Sequence, residues 1–342
     1  MKKPKLGIVN SSPPTTSYGG VGPFIKNLDP FLREHFEVHY INLPPALHDL
    51  KDIPRRLTFL LYLAFKRKIF KNYDAILSHV PEGSYIISFS QTPLIHIFHG
   101  NFNAMTQSRF WYGKYFQYVF DSFEKRILKK SKLKYTVGNE RADVPKILNP
   151  IFHSVIVKPT DHRSGFIFGG RLEKIKNIDK IIKIYSLLDK SITDSNLLYI
   201  AGAGTQESYL KQLASELNLK DKVVFTGELA NHELIELVSK RKISLLASLQ
   251  EGLPMAIAES LSVGVPVVTT NTGDISRAIK SDYNGYILPI EFAFNEYILK
   301  ISSILLNYEV FARNALSSSE IFRAENVAGN LINDIKKVID NE

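Results

Sequence analysis

Residues 243–279 read ISLLASLQEGLPMAIAESLSVGVPVVTTNTGDISRAI, and the reading of this stretch decides the fold. An apolar run at 243–246 has the look of a buried strand and ends in a polar turn. Pro254 stands where a helix begins, its locked φ suited to a first turn, and the helix is predicted to reach Leu261 before Gly264 stops it. A second buried strand follows at 265–270, and residues 271–274 supply turn formers and the N-cap of another helix. The unit is strand, loop, helix, strand. It carries two carboxylates eight positions apart, Glu251 before the helix and Glu259 within it, and neither has a basic neighbour in sequence. A helix this apolar is expected to be buried, so both carboxylates need polar partners from elsewhere. Sugar hydroxyls would serve.

Upstream, strands are predicted at 165–168, 197–201 and 223–226, alternating with helices at 178–188, 206–217 and 232–239. Strict alternation implies a parallel sheet with helices on both faces. Gly169-Gly170-Arg171-Leu172 closes the first of these strands, and Lys176-Asn177 precedes the next helix. Arg171 can grip phosphate oxygens with two parallel N–H bonds and Lys176 adds a point charge, an arrangement suited to a diphosphate. Ala201-Gly202-Ala203-Gly204 and Thr226-Gly227-Glu228 end the neighbouring strands, where backbone can approach a ligand closely.

The first half repeats the pattern. A strand at 5–10 leads into the turn-rich loop SSPPTTSYGGVG and a helix at 23–33. The glycines Gly19, Gly20 and Gly22 come too late for the G-x-G-x-x-G spacing, which disfavours a nicotinamide enzyme. Further strands are predicted at 36–42, 73–79, 93–98 and 134–137, with helices at 53–71 and 105–130. His99-Gly100-Asn101 sits at the carboxyl end of one strand, where open α/β sheets gather ligands. The chain closes in a helical region at 320–339, and an interdomain linker is placed near 157–163.

With 342 residues, 44% of them hydrophobic, the chain is long enough for two domains. It has no cysteine, which excludes disulfides and thiolate metal sites. The start is too weakly apolar for a signal peptide, and the run at 57–65 is about half of what a membrane-spanning helix needs. A cytoplasmic protein is therefore expected. Residues 1–160 hold 23 Lys and Arg against 11 Asp and Glu, while the remainder holds 20 against 23, so the net charge of +9 is carried by the first half. The helix at 53–71 brackets its apolar core with Arg55, Arg56, Lys66, Arg67, Lys68 and Lys71. Such a helix suits the inner face of an anionic membrane, and the alternative is an ordinary amphipathic helix packed on a sheet with its cations in water. The cations flank apolar helices rather than track a groove, which argues against nucleic acid.

GGRLEKIKN, IAGAGTQ, VFTGEL and EGLPMAIAE together resemble the family 4 glycosyltransferases, retaining enzymes of the GT-B fold, an α/β architecture of two Rossmann-like domains whose parallel sheets face an interdomain cleft. The resemblance covers most of the second half and is confined in the first to the double glycine and the His-Gly pair. It implies an N-terminal acceptor-binding domain over 1–158, a donor-binding domain over 164–318, and a C-terminal helix over 319–342 crossing back to the first domain. It also implies a donor that is a UDP- or GDP-linked sugar, no further cofactor and no metal. By resemblance Arg171 and Lys176 hold the donor diphosphate and Glu259 the ribose. Glu251 holds hydroxyls of the transferred sugar, Gly252 and Leu253 present amides near the sugar phosphate, and Thr226 and Gly227 border the base. Gly20 lies near the diphosphate and His99 near the sugar. Two positions depart from the family pattern: Asn177 replaces a frequent glycine, and Ala247 a frequent proline. The implied reaction moves a hexose-type sugar to a hydroxyl of a glycan or lipid-linked acceptor. A non-catalytic partner subunit and a nucleotide-sugar epimerase are the alternatives on the same architecture.

Overall fold

The computed structural model describes residues 2–13, 21–48, 55–99, 113–137, 144–151 and 162–341. Its contacts divide the chain into two units, Met1–Phe152 with Ala324–Glu342, and His153–Arg323.

The first unit is built on strands β1 (Lys5–Val9), β2 (Glu37–Ile41), β3 (Ala75–Ser78), β4 (Leu94–His99) and β5 (Leu133–Val137). They form one parallel sheet in the order β2-β1-β3-β4-β5. The central strands β3 and β4 are buried almost throughout, as strands covered on both faces require, while the edge strands β2 and β5 carry charged and part-exposed residues. Helices α1 (Val21–His35), α2 (Arg55–Phe65), α3 (Pro81–Ile87) and α4 (Gly113–Lys130) belong to this unit. So does the C-terminal helix Ala324–Asp340, which buries Ala328, Leu331, Ile332 and Ile335 in one core with Phe24, Leu28 and Leu32 of α1.

The second unit contains β6 (Phe166–Gly169), β7 (Leu198–Ala201), β8 (Val223–Gly227), β9 (Ile243–Leu245), β10 (Val267–Thr270) and β11 (Gly285–Leu288). Its parallel sheet runs β11-β10-β9-β6-β7-β8. The helices are α5 (Ile178–Ser186), α6 (Lys190–Ser195), α7 (Glu207–Glu216), α8 (Asn231–Ser239), α9 (Met255–Ser262), α10 (Phe294–Leu306) and α11 (Tyr308–Ser318). The chain builds outward from β6 through β7 to β8, then returns to the other side of β6 with β9. The strand order therefore reverses between β6 and β9, and ligands of open α/β sheets sit outside the carboxyl ends of the strands at such a reversal.

Some elements differ from the sequence expectation. The helix predicted over 53–71 ends at Phe65, and Arg67–Asn72 continues as a tighter 3-10 stretch. Its last turn closes with Tyr73 N–H donating to Phe70 O at 3.2 Å, and Asp74 N–H then reaches Lys5 O at 2.9 Å, which brings the chain round to enter the sheet. The part of the predicted 105–130 helix before Gly113 lies outside the described residues. Residues 271–274 do not cap a full helix. Only the 3-10 turn Ile275–Arg277 follows, because Asp274 N–H bonds back to Gly252 O at 2.8 Å and ties this turn to the Glu251 loop. The elements α3, α6, β11, α10 and α11 have no counterpart in the sequence reading.

Candidate functional site

The loops at the strand reversal of the second unit hold most of the polar residues singled out in the sequence. Beyond β6 the chain passes Arg171, which is exposed, and makes the 3-10 turn Lys174–Lys176. Asn177 then takes φ 56° and ψ 37° before α5 begins. Asparagine is among the few side chains that visit this left-handed region readily, so the turn is made without the frequent glycine. The loop after β7 lies directly on the loop after β6. Gly202 has φ +136°, and a Cβ there would stand 1.9 Å from Gly170 O, so only glycine fits.

From the other side of the reversal comes the loop after β9. Leu249 N–H donates to Ile175 O at 2.9 Å, which sets it beside the Lys176 turn. Lys176 Nζ forms an ion pair with Glu251 Oε1, and Ser248 Oγ donates to the same oxygen at 2.8 Å. Both partners are largely sheltered, with side-chain exposures of 17% and 13%. Ala247 does not leave this loop slack. The hydroxyl of Tyr297 on α10 donates to the carbonyls of Leu246 at 3.1 Å and Val268 at 2.8 Å, and Thr270 Oγ1 donates to Ser248 O at 2.6 Å. Gly273 closes the assembly: a Cβ there would meet Glu251 O and Gly252 O at 2.1 Å each. Gly252 and Leu253 lead into α9, whose N-cap residue Pro254 makes no side-chain capping bond. Met255 and Ala256 thus begin a helix whose first N–H groups and dipole favour an anion.

Glu259 is buried on α9 at 6% exposure. Asn231 Nδ2, at the start of α8, donates to its Oε1 at 2.9 Å. Burial pushes the carboxyl up to about 7, and the Asn231 bond pulls in the opposite direction. Near neutrality this acid is poised between its two forms, and donors from a ligand would favour the charged one. Thr226 and Gly227 end β8, where Gly202 N–H donates to Gly227 O at 2.8 Å and joins the strand ends.

In the first unit, His99 ends β4 and His79 follows β3, with His79 Nδ1 2.8 Å from His99 Nε2. Phe24 packs edge-on to His99 at 4.9 Å between ring centres. Burial lowers His99 to about 3, and burial and then the neighbouring His99 and His96 hold His79 well below its ordinary value. Both rings are neutral at physiological pH, so His99 can exchange hydrogen bonds with a ligand but brings no charge. Gly20, Gly100 and Asn101 lie outside the described residues.

The structure thus joins Lys176 to Glu251, brings Thr226 and Gly227 to the end of the strand next to β7, and leaves Arg171 exposed beyond β6. Sequence reasoning missed Ser248, Asn231, Gly273, Tyr297 and His79. Asn231 had a legible signal, a helix-starting asparagine just after the Thr226-Gly227 strand end. The others are paired only by the fold.

Residues 155–317 match the family model Glycosyl transferases group 1. Over 126 residues, 36% of this chain and 32% of that one, the sequence is 30% identical to the uncharacterized glycosyltransferase MJ1607 of Methanocaldococcus jannaschii. The chain spans about a third of the length of such curated relatives. Among solved structures, sucrose-phosphate synthase from Thermosynechococcus elongatus superposes with a TM-score of 0.79 at 15% identity, over 99% of this chain and 100% of that one. Anabaena Alr3699/HepE in complex with UDP-glucose does so with a TM-score of 0.71 at 14% identity, over 98% and 100%. At these identities the likeness speaks for the fold alone. The chain has the GT-B fold, and its second unit, which holds Lys176, Glu251 and Glu259, carries the sequence pattern of the group 1 glycosyl transferases.

Proposed function

We propose that the protein is a retaining, metal-independent glycosyltransferase of family 4 type. It moves a hexose-type sugar from a UDP- or GDP-linked donor to a hydroxyl of a glycan or lipid-linked acceptor, in surface polysaccharide or glycoconjugate synthesis at the inner face of the membrane. The observation that carries this reading is the sheltered Lys176–Glu251 pair at the strand reversal of the second unit. It sets a cation for phosphate oxygens beside a carboxylate for sugar hydroxyls, the two chemistries that meet at the sugar–phosphate bond of such a donor. The similar fold of Anabaena Alr3699/HepE, solved with UDP and glucose and with UDP-glucose, supports the same donor class.

In this reading the diphosphate is the leaving group. Lys176, held by Glu251, and the N-terminal amides of α9 meet the charge that develops on it as the bond breaks, which lowers the barrier because they are fixed before reaction, and Arg171 adds a second cation from its exposed position beyond β6. Glu251 orients the transferred sugar, and Glu259 accepts from the ribose hydroxyls. Thr226 and Gly227 border the base, Gly252 and Leu253 the sugar phosphate, with Gly20 by the diphosphate and His99, as a neutral hydrogen-bonding group, by the sugar. Lys176→Ala and Glu251→Ala are each expected to abolish sugar transfer while the far-ultraviolet dichroism stays unchanged. Full transfer by either purified variant would refute the assignment.

A further inference from the structure

Helix α2 of the first unit has two apolar faces, and the described residues cover only one. Thr58, Phe59 and Leu63 pack inward, Phe59 and Leu63 into a core with Phe70, Ile76 and Leu94. On the opposite face, Leu57, Leu61 and Phe65 recur every four residues and stand open to solvent at 43%, 58% and 85%, and Ile69 of the following turn is 36% exposed. A stripe of aliphatic and aromatic side chains at i, i+4 and i+8 would face a core in an ordinary surface helix. Here nothing among the described residues covers it. The same segment, residues 55–73, holds six cations and no carboxylate. Arg55 and Arg56 are tied down, to Ser12 Oγ at 2.8 Å and to the buried Glu82 at 3.3 Å. Lys66, Arg67, Lys68 and Lys71 are all exposed, and no described carboxylate lies within ion-pair distance of them.

We propose that α2 and the basic turn behind it dock on an anionic lipid surface, with Leu57, Leu61, Phe65 and Ile69 entering the headgroup layer and Lys66, Arg67, Lys68 and Lys71 meeting the phosphates. The charge pattern chooses this occupant. A second copy of the chain would bring the same patch against itself across a two-fold axis, four exposed cations facing four. A nucleic acid would match the cations and strand the leucines in water. A bilayer interface accepts both, and an in-plane helix with an apolar face and basic flanks is what it binds. No described helix is long and apolar enough to cross a membrane. The inference rests for its purpose on the transferase reading, which it deepens by naming the surface that holds the enzyme where a lipid-linked acceptor is found.

The test is cosedimentation of the full chain with vesicles of phosphatidylglycerol and phosphatidylethanolamine, and with vesicles of phosphatidylcholine alone. Binding is expected to the anionic vesicles only, and to be released toward 1 M salt, where screening lengths fall to about 3 Å. Phe65→Asp should weaken the partition more than about tenfold, and the triple variant Lys66→Gln, Arg67→Gln, Lys68→Gln by about fivefold per cation removed. These side chains are exposed, so both variants should keep the wild-type melting temperature. No binding to anionic vesicles at low salt, undiminished binding by both variants, or equal binding to phosphatidylcholine would overturn the proposal. So would a concentration-dependent dimer that Phe65→Asp dissolves without any vesicle binding. If no nucleotide-sugar raises the melting temperature, the transferase reading fails while the vesicle result stands. Loss of vesicle binding with that shift intact removes the docking surface alone.

Discussion

Replacing Glu259 by glutamine gives the proposed donor site a stability signature with a definite sign. The folded carboxyl titrates at about 7 against an ordinary value of 4.5, because burial penalises its charged form. A group raised in this way favours the folded state fully below its unfolded pKa, and that contribution is lost as pH rises through the folded value. At about 1.4 kcal/mol per unit, the readier ionisation of this carboxyl in the unfolded chain costs the wild type about 3 kcal/mol at pH 8 and about 1 kcal/mol at pH 5, relative to acid. Glutamine has the same shape, can still accept from Asn231, and does not ionise. Glu259→Gln should therefore exceed the wild type by about 3 kcal/mol at pH 8 and by about 1 kcal/mol at pH 5 in urea unfolding of the second unit. His79 and His99, both neutral, act with the opposite sign, costing stability as pH falls below 6.5, but they are common to both proteins and cancel in the difference. Ribose hydroxyls donating to Glu259 would restore its charged form. Binding of a nucleotide sugar, whose diphosphate does not titrate near pH 6, should at that pH release about 0.9 proton from the wild type and none from the variant, read by calorimetry in two buffers of different ionisation heat. A stability difference independent of pH, together with binding that moves no proton, would refute the reasoning.

Gly273→Ala drives a Cβ into the carbonyls of Glu251 and Gly252. It is expected to cost more than about 2 kcal/mol, by displacement of the Glu251 loop, and to lower kcat/KM far more than an alanine at an exposed helical position such as Ser276 would; unchanged kinetics would mean that the loop tolerates the shift. The facing imidazoles of His79 and His99 should remain neutral from pH 8 down to pH 5 in nitrogen-15 spectra, so neither supplies a titrating limb to the activity profile in that range; a histidine resonance assigned to either that titrates near 6.5 would contradict the burial argument.

Both sheets were legible in the sequence because parallel strands buried on two faces are short, mostly apolar runs without charge, as at 243–246 and 265–270. The carboxylates Glu251 and Glu259 of this stretch were legible because charge within and just before an apolar helix demands a partner. The identity of the partners was not. Lys176 reaches Glu251 from 75 positions away, and Ser248, Asn231 and Tyr297 are ordinary polar residues until the fold aims their donors at a carboxylate or a pair of strand-end carbonyls. Short elements such as β11 and α3 escaped because four to seven residues carry too little periodicity. The helix over 53–71 was ambiguous for a different reason: periodicity finds apolar positions but cannot tell which of two apolar faces, Phe59 with Leu63 or Leu61 with Phe65, the rest of the chain covers.

The central claim is that Lys176 and its neighbours bind a nucleoside diphosphate sugar, and a thermal-shift panel of UDP- and GDP-sugars tests it most directly. A ligand at about 100 times its Kd adds about 2.7 kcal/mol to the native state. At least one donor should raise the melting temperature of the wild type by several degrees, and the same donor should leave Lys176→Ala unmoved. A wild type indifferent to every donor, or a Lys176→Ala variant that responds as strongly as the wild type, would contradict the account.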